Sequence, residues 1–273
     1  KMIFEKDERM LEIEERMKTP LEWDWSPYCK IQDLHESHYD EALPTIRQSI
    51  ITPHNQDDLS SGDFLQHHFF RTEPMCVASS LLEDQLSVKG YVDLARTWMK
   101  DTTSLVATSL KSGRVIGVAV TRINSDSEKT NVYSRVQVLK GETLNQIMRL
   151  NNELIVRTKA YEKFGHDVYF RIYILCVHPS YETKDIETAL LKACIQVAET
   201  LKMPAIGGIF TSGSYQLKAQ EVGFQFFSEI RYSQWIVNNR VIFDDPGRGN
   251  YSAAFLGMLI STKEEPEEES QEN

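Results

Sequence analysis

Residues Val168 to Ala198, VYFRIYILCVHPSYETKDIETALLKACIQVA, read as a buried strand, a short turn and then an amphipathic helix. The apolar run Tyr169 to Val177 is rich in β-branched and aromatic residues, as a covered strand requires. It stops at His178-Pro179, because proline lacks the N–H that a ladder needs and biases the preceding residue away from helix. From Ile186 the apolar positions Ile186, Ala189, Leu190, Ala193, Cys194, Val197 and Ala198 recur at helical spacing. A strand that feeds a helix through a tight loop is a ready anion site, since the free amides and the helix dipole both favour phosphate.

Outward from this unit, Leu105 to Leu110 and Arg114 to Ile123 read as an antiparallel hairpin closed by Lys111-Ser112-Gly113. Gly141 to Phe164 reads as one long helix, with Leu144, Ile147, Met148, Leu150, Leu154 and Ile155 near helical spacing. A helix over Lys89 to Lys100 turns Tyr91, Leu94, Ala95 and Trp98 to one side. Further upstream, Ile31 to Leu34 is a short first strand, and His35 to Ile50 is a helix containing Pro44. Trp23, Trp25 and Tyr28 fall in a loop after a charged helix at Lys1 to Lys18. Downstream come a strand (Ala205 to Phe210), a helix (about Ser214 to Val222) and strands at Phe226 to Ile236 and Ala253 to Ile260. The pattern is α/β: a mixed, mostly antiparallel central sheet flanked by helices.

At 273 residues and 41% hydrophobic, the chain can bury a substantial core. Its net charge of −10 argues against a nucleic-acid partner, which leaves a basic footprint. Residues Lys263 to Asn273 hold six Glu and one Lys, the composition of a solvated acidic tail. Cys29, Cys76, Cys176 and Cys194 lack CxxC spacing, so the expectation is reduced thiols in a cytoplasmic protein without a zinc site. Cys176 and Cys194 fall on apolar faces and read as core. No signal peptide or membrane span is expected. The adjacent His67 and His68 have no third ligand spaced for a metal, and Ser212 has no partnered His and Asp for hydrolase chemistry.

Several segments together resemble the GNAT superfamily of N-acetyltransferases, and more closely the insect arylalkylamine (dopamine-type) N-acetyltransferases. Glu73-Pro74-Met75 matches that family's Glu-Pro-Leu, and Val177-His178-Pro179-Ser180-Tyr181 matches a strand running into Val-x-Pro-x-Tyr. Thr211-Ser212 and Gly223-Phe224 match the two ends of its fourth helix, and Arg231-Tyr232-Ser233 matches a tyrosine-bearing strand. The resemblance covers roughly Ile31 to Ser261. It implies one GNAT-like domain over 31–262, preceded by a charged helix and linker at 1–30 and followed by the acidic tail at 263–273. It also implies acetyl transfer from acetyl-CoA to a small primary amine, with Glu73 as the base, acting through water, and Ser212 as a second catalytic group. Leu175, Cys176 and Val177 would hold the thioester and pantetheine. Glu182, Thr183, Lys184, Asp185, Ile186 and Glu187 would form the pyrophosphate loop.

That loop departs from the family pattern, which is Gln or Arg, then Gly, then Gly or Ala, where this chain has Glu182, Asp185 and Glu187. Aspartate tolerates the left-handed geometry that a glycine would take, so the turn itself can persist. Acids beside a diphosphate repel it, by about 1 to 4 kcal/mol for two charges at 4 Å and effective dielectrics of 80 to 20. The family's serine eight residues before the Gly-Phe glycine is Tyr215 here, and its Pro-His before the last strand is Gly249-Asn250-Tyr251. Ala219, where other acetyltransferases place a tyrosine four residues before that glycine, is uninformative because the insect enzymes also lack that tyrosine. The alternative reading is therefore a pseudoenzyme, an acetyltransferase fold serving as an interaction module, with a protein partner bound through the N-terminal helix or the acidic tail.

Overall fold

The computed structural model of the chain describes residues 21–34, 65–99, 103–126 and 139–261. The helices expected at Lys1 to Lys18 and His35 to Ile50, and the acidic tail, lie outside the described residues. An eight-stranded sheet has the order β1-β2-β3-β4-β5-β6-β10-β7. Its strands are β1 (Glu22–Ser26), β2 (Cys29–Asp33), β3 (Leu105–Ser109), β4 (Val115–Ser125), β5 (Val168–Val177), β6 (Ala205–Phe210), β7 (Gln225–Arg231) and β10 (Ser252–Leu259). All neighbours pair antiparallel except β5 and β6, which run parallel. A separate two-stranded ribbon joins β8 (Ile236–Val237) to β9 (Arg240–Val241).

Helices cover both faces. On one, α2 (Gln85–Met99) and α3 (Glu142–Thr158) bury Tyr91, Leu94, Leu144, Ile147 and Leu154 in a core with Tyr169, Ile174 and Phe255. On the other, α5 (Ile186–Thr200) buries Ile186, Leu190 and Cys194 against Phe170, Leu175 and Val177, and α6 (Gly213–Glu221) adds Ala219. The starts of α2 and α3 are tied together by Asp84. It accepts from the Ser87 backbone and hydroxyl and from Thr143 N–H, and these bonds hold its carboxyl down at about 2.

Several boundaries differ from the sequence expectation. Trp23 and Trp25, expected in a loop, lie in β1, which pairs with β2 from Glu22 onward, so the sheet begins before Ile31. The expected single helix from Gly141 to Phe164 is two, α3 and α4 (Ala160–Phe164), broken at Lys159 with φ 50°. There the Thr158 hydroxyl bonds back to the Leu154 carbonyl and also meets the Ser228 hydroxyl on β7, a tertiary bond that outweighs helix continuity. The strand expected to reach Ile236 ends at Arg231, where Tyr232 turns inward and donates to the Thr211 carbonyl at 2.7 Å. The core assignment of Cys176 and Cys194 is borne out, and all four cysteines are buried as thiols outside any disulfide.

The feature that positions the site lies in the middle of the sheet. In the pairing of β4 with β5, Val120 faces Ile174 and Thr121 faces Ile172, so Tyr173 is an extra residue, a β-bulge. The bulge exchanges the faces of β5: Phe170 and Ile172 share a core with Leu175 and Val177, while Tyr169 shares one with Ile174 and Cys176. β5 pairs with β6 only through Phe170 to Ile172, opposite Ile206 to Gly208. A Cβ on Gly208 would sit 2.7 Å from the Ile172 carbonyl oxygen, so glycine permits this last close approach. Beyond it the two strands part, and β6 continues along β10.

Candidate active site

A cavity of about 400 Å³ opens where β5 leaves β6, within the usual range for a small-molecule site. It reaches through the sheet, from Glu73, Tyr91, Trp98 and Asn151 on the α2–α3 side to Leu175, Phe210 and Tyr215 beside α5 and α6.

Glu73 is placed by local chemistry. A π-helical turn (Leu65–Phe69) and a helical turn (Phe70–Thr72) end at this residue, which takes extended geometry as the N-cap of α1 (Pro74–Ala78). Pro74 occupies the first helical position, where its missing N–H costs no bond. Oε2 accepts the Cys76 N–H at 2.6 Å. Oε1 is buried without any partner, on a residue only 6% exposed. The cap thus fixes the carboxylate and leaves one oxygen uncommitted in a residue that lines the cavity. Burial and the neighbouring Glu73 charge push the Cys76 thiol up, and the same two causes, with Cys76 also contributing, raise the Tyr91 and Tyr232 hydroxyls. Those groups remain neutral.

The residues expected around the co-substrate are only partly gathered. Leu175 lines the cavity, whereas the Cys176 and Val177 side chains are packed into the two cores. From Tyr173 to Val177 the backbone edge of β5 has no β6 partner, and Tyr215 lines the cavity with Leu175, its hydroxyl raised chiefly by burial. The loop after β5 is a 3-10 turn (Pro179–Lys184) capped by His178, whose Nδ1 accepts the Ser180 N–H. Glu182, Thr183, Lys184 and Asp185 are exposed there, and Lys184 lies over the Tyr28 ring at 4.6 Å. Asp185 takes φ 52°, so the left-handed turn persists without glycine.

The charge of this loop differs from the expectation. Lys218, on α6, forms an ion pair with Asp185, which holds the carboxyl below its usual range. Glu187 is turned inward and only 2% exposed, with Oε2 unpartnered, and burial raises its carboxyl. Ile186 is core. The loop therefore does not present three free acids to an anion. Ser212 is the N-cap of α6, accepting the Tyr215 N–H at 3.3 Å and bonding the Ser214 hydroxyl, and it does not line the cavity. Its hydroxyl is thus engaged in capping α6.

Sequence reasoning missed four residues here. Arg171 lines the cavity with Nε buried and unpartnered, and its guanidinium lies 4.3 Å from the Tyr173 ring centre. Tyr173 stacks on Trp98 with centroids 4.4 Å apart. Asn151 Oδ1, from α3, is also buried without a partner. The only sequence signal was Arg171 itself, a charge inside an otherwise apolar strand. Among the described residues no cluster of His, Cys, Asp and Glu could hold a metal, and no helix is long and apolar enough to cross a membrane.

No protein-family model matches the chain, and no curated protein matches it in sequence. Solved structures do resemble it. A protein of the yellow fever mosquito Aedes aegypti, assigned as arylalkylamine N-acetyltransferase 7, superposes with TM-score 0.73 at 20% identity over 89% of this chain and 96% of its own. Arylalkylamine N-acetyltransferase 2 of Aedes aegypti gives 0.66 at 18% identity, over 85% and 99%. The polyamine N-acetyltransferase of Drosophila melanogaster, which forms N-acetylagmatine, gives 0.61 at 14% identity, over 84% and 98%. The chain has the fold of the GNAT N-acetyltransferases.

Proposed function

We propose that this chain is an N-acetyltransferase that moves an acetyl group from acetyl-CoA to a small primary amine. One observation carries the reading: Glu73 keeps a buried, unpartnered Oε1 on a residue lining the cavity where β5 and β6 part. A carboxylate oxygen held there suits a base that receives a proton from the substrate ammonium, directly or through water. The free amine nitrogen attacks the thioester carbonyl, the new C–N bond forms, the C–S bond breaks, and the thiolate leaves and is protonated. The unpaired edge of β5 supplies backbone donors suited to a thioester carbonyl. The likeness to amine acetyltransferases of mosquito and fly supports the same substrate class.

A second reading rests on the opposite end of the cleft. Asp185 bound to Lys218, Glu187 buried at the loop's end and Tyr215 lining the cavity there favour a protein that binds an amine without using acetyl-CoA, in which interaction rather than transfer is the role. Calorimetry with acetyl-CoA separates the two. Micromolar binding with turnover of phenethylamine supports the enzyme, and no binding at millimolar acetyl-CoA overturns it.

A further inference from the structure

Three buried polar atoms without partners belong to residues that line this one cavity: Glu73 Oε1 from the start of α1, Asn151 Oδ1 from α3 and Arg171 Nε from β5. Buried polar atoms are nearly always paired, so three on one cavity mark a surface shaped for a polar ligand rather than for packing. They have unlike chemistry. Glu73 Oε1 can only accept from a cation or donor, Arg171 can only donate, and Asn151 Oδ1 can only accept. Glu73 and Arg171 also leave each other unsatisfied, since neither orphan atom has a bond to any group. Arg171 lies against tyrosine rings, with Tyr173 beneath it. A guanidinium keeps its charge in such a setting and pairs readily with a planar carboxylate. An amine with an aliphatic or plain aromatic remainder would answer Glu73 and leave Arg171 open.

We propose that the amine taken by this cavity also carries a carboxylate, with its ammonium at Glu73 and its carboxylate at Arg171, over the wall formed by Tyr173 and Trp98. The proposal rests on the amine-site reading of Glu73 above, but not on acetyl transfer.

Binding can therefore be measured by calorimetry on the full chain without acetyl-CoA, using two matched pairs: 4-(2-aminoethyl)benzoate against phenethylamine, and γ-aminobutyrate against butylamine. The carboxylated member of at least one pair is expected to bind tighter by roughly tenfold or more, the size of one charge-assisted bond pair. In Arg171→Met the ratio should fall to within about twofold, and in Arg171→Lys it should lie between, because a point charge keeps attraction but loses the fork. Equal affinities within both wild-type pairs overturn the proposal, whether or not any variant folds, and so does a ratio that survives Arg171→Met. Carboxylate preference without turnover would overturn the acetyltransferase reading while upholding this one. Turnover of phenethylamine without carboxylate preference would do the reverse.

Discussion

On the α2–α3 side of the sheet, Glu73 Oε1, Asn151 Oδ1 and Arg171 Nε are buried without partners. On the α5–α6 side Asp185 is held by Lys218 and Ser212 is engaged in capping α6, and among the described residues there Glu187 Oε2 is the one buried side-chain atom without a partner. The cleft thus has one end whose polar groups await a ligand and another whose polar groups are largely answered from within the chain. An unsatisfied buried group costs about 1 to 3 kcal/mol, so the first arrangement is tolerated only where something else supplies the bonds. The second leaves one such group, Glu187 Oε2, and a ligand entering there must displace the Asp185–Lys218 pair already made. In our reading the amine end is ready, and acetyl-CoA binding is the step that these internal bonds oppose.

The sharpest way to break this contrast is at Glu73. Glu73→Gln is expected to lower the acetylation rate by about 10²- to 10⁴-fold, the usual worth of a positioned base, while calorimetry still finds acetyl-CoA binding. An unchanged rate would leave Glu73 as a helix cap only. At the other end, Tyr215→Ser removes the hydroxyl-bearing ring from the β5 edge. Acetyl-CoA should then bind about tenfold tighter, in line with clearing a ring from the cavity wall, and equal affinity would show that Tyr215 does not obstruct the edge.

Asp185→Gly should act in the same direction but more weakly. Glycine accepts φ 52° at no steric cost, and Lys218 is released toward an incoming anion. A several-fold gain in acetyl-CoA affinity at low salt, shrinking at high salt, is the expected titration result, because exposed charges are screened. A salt-independent change would place the effect in the turn rather than in the charge.

The smallest effect concerns Glu187, whose carboxyl is raised by burial above the ordinary 4.5. A raised acid favours the folded state below the ordinary value, and that contribution is lost as pH rises through the folded one. Glu187→Gln should therefore melt slightly higher than the parent at pH 7, with the gap closing near pH 4. Melting curves across that window test it, and a gap that widens on acidification would contradict the assignment.

Much of the fold was legible in the sequence because its signals are local. Ala205 to Phe210 is recovered without change, and β5 and α5 with only small shifts at their ends, since an apolar β-branched run, a proline stop and a 3.6-residue stripe each specify an element by themselves. The break at Lys159 was not legible, because it answers to Ser228, distant in sequence. Likewise the three acids of the loop read as a repulsive cluster until Lys218 arrives from another helix and Glu187 turns inward.

By itself, then, the sequence determined the strand–turn–helix at Val168 to Ala198 and the left-handed tolerance of Asp185. Only the tertiary structure decided where the sheet opens. The bulge at Tyr173 leaves no trace in a strand that is apolar on both faces, because a period of two is read from alternation and β5 is covered on both sides. Pairing with β4 fixes that extra residue, and parting from β6 beyond Gly208 opens the cavity. Those two long-range contacts bring Arg171, Asn151 and Glu73 to one space, and no local pattern encodes them.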